Sequence, residues 1–120
     1  MEIKFISTQE GNIAEIISDD MLINNQEEAL DIMMNCLYQG ADILLLYEKN
    51  MNPGFFDLST KLAGDILQKF STYRAKLIVV GDFSKYSSKS LKDFIYESNA
   101  QKRINFVSSR DEALRIFKSN

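Results

Sequence analysis

The sequence contains no histidine, and this absence excludes several kinds of active site. Histidine is the usual general base at neutral pH, the group that activates serine and cysteine nucleophiles, and the commonest metal ligand. Carboxylates or a lysine could still serve in catalysis, so the absence lowers the expectation of an enzyme without removing it. We predict a protein with no catalytic residues, no metal site and no cofactor.

Cysteine and long apolar runs are also scarce. The single cysteine, Cys36, cannot form an intramolecular disulfide, which fits a reducing cytosol. It falls within a predicted helix with no helix N-terminus beside it, so we interpret it as a small buried hydrophobe. The opening residues MEIKFIST lack the features of a signal peptide, and the longest apolar run, ILLLY, is too short to cross a membrane. We expect a cytoplasmic protein with no membrane partner.

The length and net charge of the chain limit its domain organisation and its partners. A chain of 120 residues is the size of one domain, and we predict a single domain over residues 1–120. The formal charge of −3 argues against nucleic acid as a partner, because neutralising phosphates requires a basic face. These numbers leave the oligomeric state open.

Apolar runs alternate with stretches of helical period along the chain. IKFIST and IAEIIS predict a β-hairpin, and ADILLLYE, KLIVVGD and INFVSS predict three further strands. The order β-β-α-β-α-β-α-β-α favours an α/β fold, a five-stranded, mostly parallel sheet with four helices. The predicted core comprises Phe5, Ile16, Leu30, Leu45, Leu62, Ile66, Ile78, Val80, Phe94 and Leu114.

Candidate sites lie in the loops after the strands, because ligands meet parallel sheets at the carboxyl ends of the strands. The loop after ILLLY contains the only proline, Pro53, followed by two phenylalanines and Asp57. One interpretation is structural: the phenylalanines pin a turn, and Asp57 or Ser59 caps a helix. The other is functional: Ser59 and Thr60 lie in the first turn of that helix and are phosphorylated there, where the helix dipole stabilises a phosphate.

The loop DFSKYSSKS is the second candidate. Lys85 and Ser87, beside a helix N-terminus, could hold an anion, or the loop could be a solvated serine cap. A third possibility is an enzyme that uses Asp57, Asp82 or Lys85. Five aromatic residues in or beside the two loops could form a partner surface or plug the end of the core. They are Tyr47, Phe55, Phe56, Phe83 and Tyr86.

From Ala41 onward the chain resembles the STAS domains, which share the fold of the anti-sigma-factor antagonists. The matching segments are DILLLY, FFDLSTKLAGDIL, KLIVVGD, SLKDFIYES, INFVSS and RDEALRIF. Asp57 matches the aspartate of the STAS helix motif, and Ser59 matches its second serine, the residue phosphorylated in the sporulation antagonists. Leu58 stands where that motif has its first serine. The resemblance implies a STAS-like fold and a phospho-switch at Ser59 or the neighbouring Thr60.

Nearly the whole chain is similar to a bacterial family, domain of unknown function family 4180. The similarity rests on the segments AEIISD, FFDL, LAGDILQKFSTYR and VGDFSKY. This resemblance implies no activity. We therefore expect a non-catalytic regulatory or protein-interaction module that acts through the strand-end loops and is modulated by phosphorylation. The alternative is a protein that binds a small anion or an apolar ligand at the same edge.

Overall fold

The computed structural model describes residues 1–118 and contains one five-stranded sheet with the strand order β1-β2-β3-β4-β5. β1 and β2 form an antiparallel hairpin, while β2 to β5 run parallel to one another. The prediction of a mostly parallel sheet entered by a hairpin is confirmed. The strands are β1 Glu2–Thr8, β2 Gly11–Ile17, β3 Ile43–Tyr47, β4 Lys76–Val80 and β5 Ile104–Val107.

Four α-helices lie within residues 1–118, as the sequence predicts. Side-chain caps fix three of their starts: Asn25 accepts from the Glu28 N–H, Ser88 from Leu91, and Ser109 from Glu112. None of the helices in these residues is long and apolar enough to span a membrane. The helices are α1 Gln26–Tyr38, α2 Leu62–Thr72, α3 Lys89–Gln101 and α4 Arg110–Phe117.

The helices divide unequally between the two faces of the sheet. Consecutive parallel strands joined by right-handed crossovers place their connecting helices on one face, and Met33 of α1, Ile66 of α2 and Leu91 of α3 share one buried cluster there. We call this side the three-helix face. The last helix follows the last strand and packs its Phe117 against the opposite side, which we call the α4 face.

The predicted core is largely confirmed, with one error. Five of the predicted residues are buried, namely Ile16, Leu45, Ile66, Ile78 and Val80. Four are half-buried: Leu30, Leu62, Phe94 and Leu114. Phe5 is wrong, since 44% of its surface is exposed. It lies on the three-helix side of β1, and β1 is the edge strand, so Phe5 has a neighbouring strand on one side only. Cys36 is buried as predicted, and burial raises the pKa of its thiol to about 11.

Candidate functional site

The segments that leave β2, β3, β4 and β5 meet at one edge of the sheet, because the carboxyl ends of parallel strands point the same way. The segment after β3 is the most elaborate. It consists of three short 3₁₀ turns, which span Glu48–Asn50, Pro53–Phe56 and Leu58–Thr60. This edge carries most of the residues that the sequence singled out.

The second of these turns buries both phenylalanines. Pro53 begins it, and the Asn52 side chain accepts a hydrogen bond from the Gly54 N–H at 2.8 Å. Phe55 and Phe56 are both buried, and their rings meet edge to face with centroids 5.0 Å apart. The two phenylalanines therefore pin the turn to the core, as the structural interpretation predicts.

Ser59 and Thr60 are exposed, and the hydroxyl of each is hydrogen-bonded to a residue shortly before it in the chain. The Ser59 hydroxyl donates to Asp57 Oδ1 at 2.7 Å, and the Thr60 hydroxyl donates to the Gly54 carbonyl at 2.6 Å. Hydrogen bonds from the Ser59 side chain and backbone lower the pKa of Asp57 below its ordinary value. The carboxylate is thus ionised at neutral pH and lies directly beside the Ser59 hydroxyl.

The predicted position of these hydroxyls in the first turn of a helix is wrong. Helix α2 begins at Leu62, after Lys61 adopts a left-handed conformation with φ of 65°. Ser59 therefore lies in the preceding 3₁₀ turn, and Asp57 caps that turn and not α2. A phosphate on Ser59 would lack the helix dipole and would be repelled by the Asp57 carboxylate. Phosphorylation at Ser59 or Thr60 stays a prediction without its expected electrostatic support.

Glu48 organises the centre of the edge. Its carboxylate accepts a hydrogen bond from Tyr86 Oη at 2.6 Å and forms an ion pair with Lys85 Nζ at 2.7 Å. Burial, followed by the contact with Glu48, raises the pKa of the Tyr86 phenol. A Cβ atom at Gly81 would lie 2.7 Å from the Glu48 Cβ atom, so glycine leaves the space that this side chain occupies. The glycine after β4 thus permits the Glu48 contacts.

A groove of about 310 Å³ runs beside Glu48, and we call it the strand-end groove. Its apolar part is formed by Met21, Met51, Pro53, Phe56 and Tyr86. Phe56 and Tyr86 stack with ring centroids 5.1 Å apart, and Met21 is 45% exposed at the rim. Its charged rim comes from Glu48, Lys49 and Lys85. The groove combines an apolar floor with a rim of two lysines and one glutamate.

A second carboxylate cluster lies on the α4 face. Glu15 is buried and accepts a hydrogen bond from Tyr47 Oη at 2.7 Å. The single N–H of Arg110 Nε is shared between the two carboxylate oxygens of Glu15, at 3.1 Å from Oε1 and 3.0 Å from Oε2. Burial, and then the contact with Glu15, raise the pKa of Tyr47 to about 12. Glu15 and Tyr47 line a cleft of about 410 Å³, and Lys49 lines both this cleft and the strand-end groove.

Sequence reasoning missed Glu15 and Glu48, although a signal for Glu15 was present. A single acid in the apolar run IAEII occupies a position that a buried strand gives to an apolar residue. Such a residue requires a partner, because an unpaired buried charge is costly. The partner of Glu15, Arg110, lies 95 residues further along the chain. No spacing rule could have identified that pair.

The five predicted aromatic residues do not form one surface. Phe56 contacts Phe83 and Tyr86, with ring centroids 5.8 and 5.1 Å apart, and Phe83 and Tyr86 are half-buried. Phe55 is buried behind Phe56. Tyr47 is half-buried and packs on the opposite face of the sheet. Of these five aromatic residues, two line the strand-end groove: Tyr86 and the buried Phe56.

The polar residues of the loop DFSKYSSKS do not converge on one site, because they bond to different partners. Lys85 pairs with Glu48, while Asp82 accepts bonds from the backbone and hydroxyl of Ser84. Those bonds lower the pKa of Asp82. Ser87 is exposed, and the cap of α3 is Ser88. Nor does any group of three or more cysteine, aspartate and glutamate side chains in residues 1–118 have the arrangement of a metal site.

Comparison with known proteins adds one relationship. No curated protein and no solved structure matches the chain. One family model does match, over residues 8–116 of the chain, a range that contains β2 to β5, α1 to α3, all of α4 except its last residue, and the residues of the strand-end groove. The chain therefore belongs to the family described as Domain of unknown function (DUF4180).

Proposed function

We propose that this chain is a non-catalytic regulatory module that binds another protein through the strand-end groove. The observation that carries the proposal is the exposed apolar rim of the groove above a stacked aromatic floor. Met21 is 45% exposed there, and Pro53 beside it is exposed as well. Methionine and aromatic residues are enriched at protein interfaces, where flexible thioethers adapt to the partner and rings bury a large area.

The titratable groups with shifted pKa values support binding over catalysis. The raised pKa values keep the phenols of Tyr47 and Tyr86 protonated at neutral pH, so neither is a base. The lowered pKa values keep Asp57 and Asp82 ionised, so neither supplies a proton at neutral pH. Burial raises the pKa of the Cys36 thiol and thus opposes formation of a nucleophilic thiolate.

The rim charges suggest what the partner presents. Lys49 pairs with Asp19, whose side chain is 97% exposed, and such an exposed pair contributes little stability. A carboxylate from a partner could replace Asp19 at small cost, while the apolar floor accepts a neighbouring aliphatic or aromatic side chain. We therefore expect the partner to present an apolar residue next to an acidic one.

Affinity capture from a lysate of the source organism, followed by mass spectrometry, tests the proposal. The test variant is Met21→Lys, which places a charge on the apolar rim. Its matched control is Met34→Lys on α1, where the methionine is 43% exposed and does not line the groove. A protein captured by the wild type and by Met34→Lys, but depleted with Met21→Lys, supports the proposal. Equal capture by both variants contradicts it.

The second candidate function is binding of a small ligand at the same edge. The cleft of about 410 Å³ beside Glu15, Tyr47 and Lys49 favours this candidate because polar groups converge there on a small volume. An anion is less favoured, because Glu15 forms part of the wall and Lys85 is already paired. Native mass spectrometry of the purified protein would reveal a retained ligand as an added mass.

We also propose that the fold is STAS-like and that the protein is cytoplasmic. Sequential parallel strands after an opening hairpin, and the Asp57–Ser59 pair in the turn before α2, support the fold assignment. The buried free thiol of Cys36 is compatible with a reducing compartment. An experimental structure superposed on a STAS domain tests the first proposal, and subcellular fractionation tests the second.

A further inference from the structure

The two edge strands of the sheet, β1 and β5, differ in how the backbone groups on their outer sides are bonded. At β5 the Asn99 side chain bonds both backbone groups of Phe106: the Phe106 N–H donates to Asn99 Oδ1 at 2.7 Å, and Asn99 Nδ2 donates to the Phe106 carbonyl at 3.3 Å. At β1, no strand in residues 1–118 pairs with the outer side of the segment Glu2 to Phe5, whereas Ser7 further along the strand has a contact of its own. An unpaired strand edge is a template for another strand, and proteins usually protect it.

β1 carries only part of the usual protection of an edge strand, namely an exposed lysine, Lys4. It is seven residues long and contains no proline. Phe5 is 44% exposed on its three-helix side, and Met1 at its start is 63% exposed. On its α4 side lie Glu2 and Lys4, both exposed, opposite Ile17 and Glu15 of β2. From Met1 to Ile6, acidic and basic side chains thus alternate with apolar ones along this edge.

The charges select one way for this edge to pair with itself. In an antiparallel pair related by a two-fold axis at Ile3, Glu2 of each copy lies opposite Lys4 of the other, so two ion pairs form. The same register places Met1 opposite Phe5 on the other face. An axis at Lys4 would bring two lysines together, and an axis at Phe5 would leave Lys4 opposite Ile6. Opposite charges directly across strands stabilise a sheet, and like charges destabilise it.

We propose that two copies of this chain associate through β1, antiparallel and centred on Ile3, to form one continuous ten-stranded sheet. This contact is isologous and closes on itself, as two-fold interfaces do. Because the two copies run in opposite directions, their strand-end grooves lie at opposite ends of the joined sheet. The dimer would therefore present two identical binding sites facing away from each other.

Sedimentation velocity across a range of protein concentrations tests the proposal through a charge swap. The wild type should dimerise. Lys4→Glu replaces two attractive pairs with two repulsive ones and should raise the dimer dissociation constant by about tenfold or more. The double variant Glu2→Lys/Lys4→Glu should restore dimerisation, because each pair then forms with its charges exchanged. Lys92→Glu on α3, also exposed, makes the same change in net charge and should leave the dimer intact.

A second measurement locates the contact. Equal amounts of ¹⁴N- and ¹⁵N-labelled protein are mixed and treated with a carbodiimide, which couples a carboxylate to an adjacent amine. The proposal expects a mixed-isotope crosslink between Glu2 of one copy and Lys4 of the other. A wild type that stays monomeric at the highest concentration overturns the proposal. A double variant no better than Lys4→Glu, or intermolecular crosslinks only at other sites, also overturns it.

Discussion

Replacing Gly81 by alanine should destabilise the protein through a single steric contact. The added Cβ atom would lie 2.7 Å from the Glu48 Cβ atom and 2.8 Å from its Oε1 atom, so Glu48 has to move. The backbone of Gly81 lies outside the positive-φ region, so alanine causes no conformational strain there. Overpacking of this kind costs about 1–3 kcal/mol. The reduced entropy of the unfolded chain returns roughly 0.4–1 kcal/mol, which leaves a net loss centred on ~1.3 kcal/mol within a range of about 0–2.6 kcal/mol.

The matched control is the same substitution at Gly64. This glycine is exposed within α2, and a Cβ atom there meets nothing within 4 Å. Alanine at this position should stabilise the protein by about 0.5–1 kcal/mol, because glycine is a poor helix former. Thermal unfolding followed by circular dichroism resolves both changes, since about 1 kcal/mol shifts Tm by roughly 4 °C in a domain of this size. A Gly81→Ala variant that is stabilised as much as Gly64→Ala would refute the role given to Glu48.

Three further substitutions test the core and the α4-face cluster. Arg110→Met should lower the free energy of unfolding, measured in urea, by about 1–3 kcal/mol, because Glu15 stays buried after it loses one charged hydrogen bond. As a control, Arg115→Met replaces an exposed arginine and should change the free energy of unfolding by less than about 0.5 kcal/mol. Ile66→Ala should cost about 2–5 kcal/mol, because it leaves a cavity at a fully buried site. Folding raises the pKa of Tyr47 from 10.0 to about 12, so the contribution of this phenol to the stability of the protein is complete below pH 10 and is lost as the pH rises toward 12. Between pH 10 and 12, the stability of Tyr47→Phe should therefore fall less than that of the wild type.

The order of the strands and helices was predictable because apolar runs and helical periods lie within short windows of sequence. The start of α2 was not, since Leu58 continues the spacing of Leu62 and Ile66 backwards into a separate 3₁₀ turn. The break occurs at Lys61, where a left-handed backbone has no sequence signature in a lysine. Periodicity identifies the buried face of a helix but does not show where the helix begins.

The location of the strand-end groove was predictable from the sequence, but the contacts within it were not. The loops at the carboxyl ends of the strands do carry the groove, and Tyr86 and Phe56 do line it. The residue that organises it, Glu48, was missed because Tyr86 lies 38 residues away along the chain. Phe5 was misjudged for a related reason. Alternation marks an apolar residue in a strand, and only the strand order shows that the strand lies at an edge.

The most direct test of the account is amide hydrogen–deuterium exchange of the protein with and without its captured partner. The account predicts that binding slows exchange in the segments that carry Met21, Met51, Phe56 and Tyr86, since these line the strand-end groove. Exchange in α1 around Met34 should not change. Protection confined to α1, or the absence of protection around the groove in a complex that forms, would contradict the central claim.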